Sequence, residues 1–171
     1  RGSLPSRVGL CGGQGAGKST LGCLIEAACA EVGLRAVVIG LDDFYLTRAE
    51  RIELGKRVHP LFETRGAAGT HDVPRLSTAL DALGSAGAVE LPRFDKGHDD
   101  RAGSVVVEGP FDLVVLEGWC VGARPLEIDR SSPPINALER ERDPEGVWRA
   151  EVDARLARDY VPIWDRLDEL V

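Results

Sequence analysis

The sequence predicts an α/β domain, with a mostly parallel central sheet flanked by helices. Three observations carry that prediction. Short apolar runs alternate with segments of helical spacing, and such alternation builds strand–helix–strand units. The apolar runs lack in/out alternation, as strands covered on both faces do. The first of them leads directly into a glycine-rich turn that opens a helix.

The elements follow in order. Residues 7–12, Arg-Val-Gly-Leu-Cys-Gly, read as a buried strand. From Lys18 to about Val32 the spacing is helical, with Leu21, Leu24, Ile25 and Ala28 on one face, and Gly33 stops the helix. Residues 36–41 form a second buried strand, and residues 47–54 suit a short helix. Residues 55–70 hold Pro60, Gly66 and Gly69 and read as an irregular excursion. Asp72 is placed as a helix N-cap, with Pro74 in the first turn. Leu76, Leu80 and Leu83 give that helix its apolar stripe, ending near Gly84. Residues 89–91 suit a short strand, 95–103 a polar loop, and 105–107 a brief extended piece. Residues 113–116, Leu-Val-Val-Leu, are the clearest buried strand. Residues 124–134 read as a loop, and 144–170 as helix by composition, broken at Pro162. Another apolar strand begins at Leu170 and Val171. The expectation is a single domain over residues 1–171 that lacks a final strand and helix.

Composition narrows the function. A chain of 171 residues buries a sizeable core, and its 20 Gly and 10 Pro lie below the level of low complexity. The formal charge is −7, which argues against a surface built for nucleic-acid phosphates or anionic lipid. No apolar run is long enough for a transmembrane helix, and no charged-then-apolar leader opens the sequence. The four cysteines form no C-x-x-C pair, and the three histidines have no zinc spacing. Free, mostly buried thiols in a reducing cytoplasm are expected.

The chemistry begins at Gly12-Gly13-Gln14-Gly15-Ala16-Gly17-Lys18-Ser19-Thr20, which matches G-x-x-x-x-G-K-[ST]. Glycines at these positions let backbone N–H groups turn inward around a triphosphate. Lys18 is spaced to reach the β- and γ-phosphates, and the Ser19 hydroxyl to ligate Mg²⁺. The helix that starts there adds the positive end of its dipole. A nucleoside triphosphate with Mg²⁺ is the expected ligand, and the motif by itself leaves the base and the reaction open.

Phosphoryl transfer also needs carboxylates, and ligands in open parallel sheets bind where strands end. Asp42 and Asp43 follow the second strand, and Glu117 follows the strand at 113–116. Asp95 and Arg101 lie in a polar stretch that suits substrate contact. His71 beside Asp72 fits either a general-base pair or a capping Asp next to an incidental His. An anionic acceptor needs a cation, for which Arg65, Arg93 and Arg101 are candidates. The guanine-specific N/T-K-x-D motif is absent, and neither D-x-x-G, at 81–84 or 143–146, follows an apolar strand, which argues against a GTPase switch.

Taken together, Leu41-Asp-Asp-Phe-Tyr-Leu-Thr47, Arg65-Gly-Ala-Ala-Gly-Thr-His-Asp72, Leu91-Pro-Arg-Phe-Asp-Lys96 with Arg101, and Leu116-Glu-Gly-Trp119 complete a pattern. With the glycine loop, it resembles the D-glycerate 3-kinase-like branch of the P-loop kinases. That branch is related to uridine kinase, phosphoribulokinase and bacterial pantothenate kinase. The resemblance covers roughly residues 7–125 and implies the P-loop NTPase three-layer sandwich. It implies that Asp42 acts as base toward an acceptor hydroxyl and that Glu117 supports Mg²⁺. It places Asp43, Tyr45, His71, Asp72, Phe94, Asp95 and Arg101 around the acceptor. The acceptor it implies is a small hydroxylated acid, D-glycerate, with a nucleoside, pantothenate or a sugar phosphate as alternatives. A non-catalytic ATP-binding module is the reading from a different class. Relatives also carry a cationic lid, for which Arg124, Arg140 and Arg142 are candidates by position.

Overall fold

The computed structural model describes residues 6–171. Its elements are β1 (Arg7–Cys11), α1 (Lys18–Glu31), β2 (Ala36–Gly40), α2 (Arg48–Arg57), α3 (Val73–Leu83), β3 (Gly87–Asp95), β4 (Asp100–Gly109), β5 (Leu113–Gly118), α4 (Ala137–Arg142), α5 (Val147–Arg155), α6 (Val161–Trp164) and β6 (Glu169–Leu170). Two 3₁₀ turns, Leu41–Phe44 and Pro60–Glu63, and a π-helical turn, Leu156–Tyr160, complete the order.

Four strands pair in parallel in the order β2–β5–β1–β6. Alternate residues divide between two packed layers. Val37, Ile39, Val114 and Leu116 face the main core, with Leu76, Leu80 and Leu83 of α3 and with Tyr160, Ile163 and Trp164. On the opposite face, α1 lies against β2 so closely that a Cβ at Gly22 would stand 2.9 Å from Val38 Cγ1. This is the expected three-layer arrangement, and its parallel sheet follows from the β-rich apolar runs.

The register positions the chemistry. Leu10 pairs with Glu117 and Cys11 with Gly118, while Gly40 pairs with Glu117 from the other side. The carboxyl ends of β1, β2 and β5 therefore finish at one level. The glycine loop, the Leu41–Phe44 turn and Glu117 all leave the sheet at that edge.

Several sequence expectations are corrected. Of the stretch 95–103 expected as a loop only 96–99 form a turn, because β3 and β4 make a long antiparallel hairpin, with Phe94 opposite Arg101 and Asp95 opposite Asp100. The polar β4 is made a strand by its pairing with β3, which no period within it reveals. Helix α1 forms as expected, yet Gly22 is its buried residue, and Leu21 and Leu24 are 43% and 62% exposed. Close approach of the backbone to Val38 turns the apolar stripe sideways. The helix expected over 144–170 with a break at Pro162 is divided earlier, into α5, a π-turn and α6, and ends at Trp164. Pro162 donates no N–H, and the turn before it widens. The expected terminal strand is present as β6, hydrogen-bonded beside β1. Helix α2 runs to Arg57, past the expected end at residue 54, and Thr47 with Glu50 forms its capping box. Of the four cysteines only Cys120 is buried, while Cys11 and Cys23 are exposed.

Candidate active site

The loop between β1 and α1 takes the shape that the glycines permit. Gly15 and Gly17 adopt φ of 75° and 85°, in the left-handed region that disfavours side chains. Gly17 is the N-cap of α1, so the amides of Lys18, Ser19 and Thr20 have no helical carbonyl to satisfy them. These residues line a cleft of about 340 Å³ together with Gln14, Asp42, Lys96 and Glu117. Gly12, Gly13 and Ala16 shape the loop from outside that lining: the Lys18 ammonium donates to the Gly13 carbonyl at 3.0 Å.

Glu117 completes the floor of the cleft. Its Oε1 accepts from the Ser19 hydroxyl at 3.0 Å, joining the ends of β5 and the glycine loop. A Cβ at Gly40 would lie 3.7 Å from both Asp43 Oδ2 and Glu117 Oε1, so oxygen donors crowd this corner. Hydroxyl and carboxylate oxygens are the donor set that Mg²⁺ prefers, and that ion takes only one or two protein ligands beside phosphates and water. The residues present fit it. Among the described residues no cluster of three or more His, Cys, Asp or Glu would hold a metal alone.

Asp42 enters the cleft from the Leu41–Phe44 turn. Its Oδ2 pairs with Lys96 Nζ at 2.7 Å. Lys96 stands in the turn of the β3–β4 hairpin, so an excursion far downstream in sequence delivers a cation to the phosphate cleft. Sequence reasoning assigned no role to Lys96; its position in the Phe94-Asp95-Lys96 segment was the available signal.

Other expected site residues serve as anchors around that pair. Asp43 accepts from Arg93 Nη1 at 2.8 Å and from the Phe94 amide at 3.1 Å, clamping the hairpin to the turn. Asp95 accepts from the Gly97 amide at 2.7 Å and from His98, fixing the hairpin tip. That histidine holds the exposed Asp95 carboxyl down to about 2. Asp72 caps α3 through the Arg75 amide, and it accepts from Arg101 Nη2 at 3.3 Å. Arg101 also donates to the Tyr45 carbonyl at 3.1 Å, so it ties the hairpin to both segments. Arg65 pairs with Asp99, and Arg93 is occupied by Asp43. Arg124 pairs with Asp165, and neither Arg140 nor Arg142 lines the cleft.

Tyr45 and His71 form a buried partition. Their backbones make a single β-bridge, and their rings stack at 4.2 Å and 20°. Phe94 meets Tyr45 edge-on at 5.2 Å. Tyr160 Oη accepts from the Gly69 amide at 2.8 Å and lies 2.7 Å from His71 Nδ1. Assigning the Tyr160 proton to Nδ1 places the ring proton of His71 on Nε2, which has no partner. Burial pushes the His71 imidazole down to about 3, against the raising influence of the Asp42 charge. His71 is thus neutral at pH 7, which removes it as a cationic anchor. Burial likewise raises the Tyr45 hydroxyl above its ordinary value, helped by Asp42. His71 and Asp72 border a second cavity of about 490 Å³, which Arg155 and Tyr160 also line.

The sign of the His71 shift gives a prediction. The unfolded chain binds this proton below pH 6.5 and the folded chain only near pH 3, so stability falls as pH drops through that interval. Between pH 7 and pH 5 the loss is roughly 2 kcal/mol. Thermal melts of the wild type and His71→Phe at the two pH values check it. The wild type is expected to lose about 5 °C more than the variant.

The sheet, its switch in strand order and the glycine loop at the head of α1 define a P-loop nucleotide-binding domain of the kinase type. No family model matches the chain. It is 38% identical over 181 residues to the uncharacterized kinase mug58 of Schizosaccharomyces pombe, covering 98% of this chain and 64% of that protein. It is 35% identical over 138 residues to the chloroplastic D-glycerate 3-kinase of Arabidopsis thaliana, covering 73% of this chain and 30% of that protein. The solved structure of D-glycerate 3-kinase from Cryptococcus neoformans superposes with a TM-score of 0.75 at 30% identity, covering 99% of this chain and 64% of that one. Uridine kinases are also among the relatives. The chain is thus similar to P-loop kinases, D-glycerate 3-kinases and uridine kinases among them. It spans less than two thirds of the length of these relatives. Among the described residues no helix is long and apolar enough to cross a membrane.

Proposed function

We propose that the protein is an ATP-dependent kinase that transfers the γ-phosphoryl group to a hydroxyl of a small acid, with D-glycerate as the acceptor. One observation carries this reading. The phosphate loop, the Ser19–Glu117 pair and the Asp42 carboxylate converge on one cleft, from three strand ends held in register. Asp42 shares the cleft with Lys18, where a carboxylate can meet an acceptor hydroxyl.

Phosphoryl transfer is mostly positioning and charge stabilisation, and each residue has a task on that basis. The amides of Gly15 and of residues 17–20 cradle the triphosphate, and Lys18 leaves the Gly13 carbonyl to follow the γ-phosphoryl oxygens. Ser19 and Glu117 would hold Mg²⁺, which supplies charge neutralisation at the β- and γ-oxygens when bound. Asp42 accepts or orients the proton of the acceptor hydroxyl. Arg101 donates to Asp72 and to the Tyr45 carbonyl, and its Nε is buried without a partner. D-Glycerate is favoured over a nucleoside by the Gly-Thr-His-Asp segment shared with the glycerate-kinase-like branch.

The test is ADP release from Mg²⁺–ATP, with and without D-glycerate, against uridine, pantothenate and a sugar phosphate. D-Glycerate is expected to stimulate release, and Asp42→Asn to reduce it by about 10²–10⁴-fold. Stimulation by another acceptor alone would replace the substrate and keep the chemistry. ATP binding without stimulation by any acceptor would overturn the kinase reading in favour of a binding module.

A further inference from the structure

We infer that Lys96 is a γ-phosphate sensor: it masks Asp42 while the site is empty and exchanges that carboxylate for the terminal phosphate when ATP binds. The inference rests on the nucleotide-binding part of the proposed function, and it deepens that reading by adding an order to the site.

Three features support it. The ion pair is short but cheap to break. Lys96 Nζ lies 2.7 Å from Asp42 Oδ2, yet the two side chains are 62% and 34% exposed, and solvated pairs of this kind contribute little. The backbone beneath Lys96 is fixed, so only the side chain has freedom. Asp43 holds Arg93 and Phe94, Asp95 holds the turn amides of Gly97 and His98, and Asp99 takes Arg51 and Arg65. Finally, Lys96 already lines the phosphate cleft together with Lys18 and Ser19. A terminal phosphate carries more charge than one carboxylate and offers more oxygens, so it is the stronger partner for a primary ammonium.

The consequence is ordered use of Asp42. In the structure its Oδ2 pairs with Lys96, and its Oδ1 is buried without a partner. Only a nucleotide with a γ-phosphate draws Lys96 off. ADP, which ends one phosphate short, leaves the pair in place. The carboxylate is then free for an acceptor hydroxyl only when there is a group to transfer.

The experiment measures equilibrium affinities of Mg²⁺–ATP and Mg²⁺–ADP for the wild type, Lys96→Met and Lys96→Arg. Lys96→Met is expected to weaken ATP by about tenfold relative to ADP, with ADP within about twofold of wild type. Lys96→Arg is expected to restore most of the preference, which a general packing role would not do. An unchanged ATP/ADP ratio in Lys96→Met would overturn the inference while leaving the kinase reading intact, because that reading is tested by acceptor-stimulated turnover. A wild type that binds neither nucleotide would overturn both.

Discussion

Lys18→Ala is expected to reduce phosphoryl transfer by about 10³-fold while leaving the fold unchanged. The large effect follows from the position of the ammonium. It is the loop's own cation, and removing one preorganised charge partner of a transferring group costs on the order of 10²–10³ in rate. The small structural effect follows from its contacts. The side chain donates only to the Gly13 carbonyl, within an exposed loop, and such surface positions change stability by roughly 0.5 kcal/mol or less. Turnover with ATP and D-glycerate, together with a thermal melt, separates the two. A variant with wild-type turnover would remove Lys18 from the chemistry, and with it the present assignment of the loop.

Arg51→Met is expected to do the reverse, destabilising the fold from a position outside the cleft lining. Arg51 is fully buried. Its guanidinium donates to the Leu46 carbonyl at 3.3 Å and to those of Glu63 and Asp99, each at 2.7 Å, and it pairs with Asp99 Oδ2 at 2.9 Å. One side chain thus ties the segment after the Asp42 turn, the Pro60–Glu63 turn and the hairpin tip. Methionine matches much of the volume and satisfies none of the carbonyls. Losing one member of a buried charged network costs about 3–5 kcal/mol. For a chain of this size that lowers the melting temperature by roughly 10 °C. A change of only a degree or two would show that water replaces the guanidinium and that the strap is not structural. Because Arg51 fixes the hairpin turn through Asp99, residual folded Arg51→Met is also expected to place Lys96 less well.

The two variants separate what was legible in the residues from what was not. Gly15, Gly17, Lys18 and Ser19 were readable because the chemistry of phosphate binding is local: a left-handed turn, a helix start and two side chains within nine residues. Asp42 and Glu117 were readable for a related reason, since each ends an apolar run and strand ends are where parallel sheets bind ligands. The Asp72 cap and the α3 stripe were equally local. Arg51 carried no signal at all. Charged residues dominate α2, and nothing in its pattern says which one is buried.

The sequence by itself determined the alternating architecture, the phosphate loop and the two strand-end carboxylates, because each is written in contiguous residues and fixed by backbone preference and hydrophobic period. Only the tertiary structure decided that 95–103 is the tip of a hairpin, that Asp43, Asp72 and Asp95 are anchors, that His71 is buried and neutral, and that Lys96 reaches Asp42. Those outcomes depend on pairings between segments tens of residues apart. The burial and charge at such a pairing are properties of the assembled site, which no single segment contains.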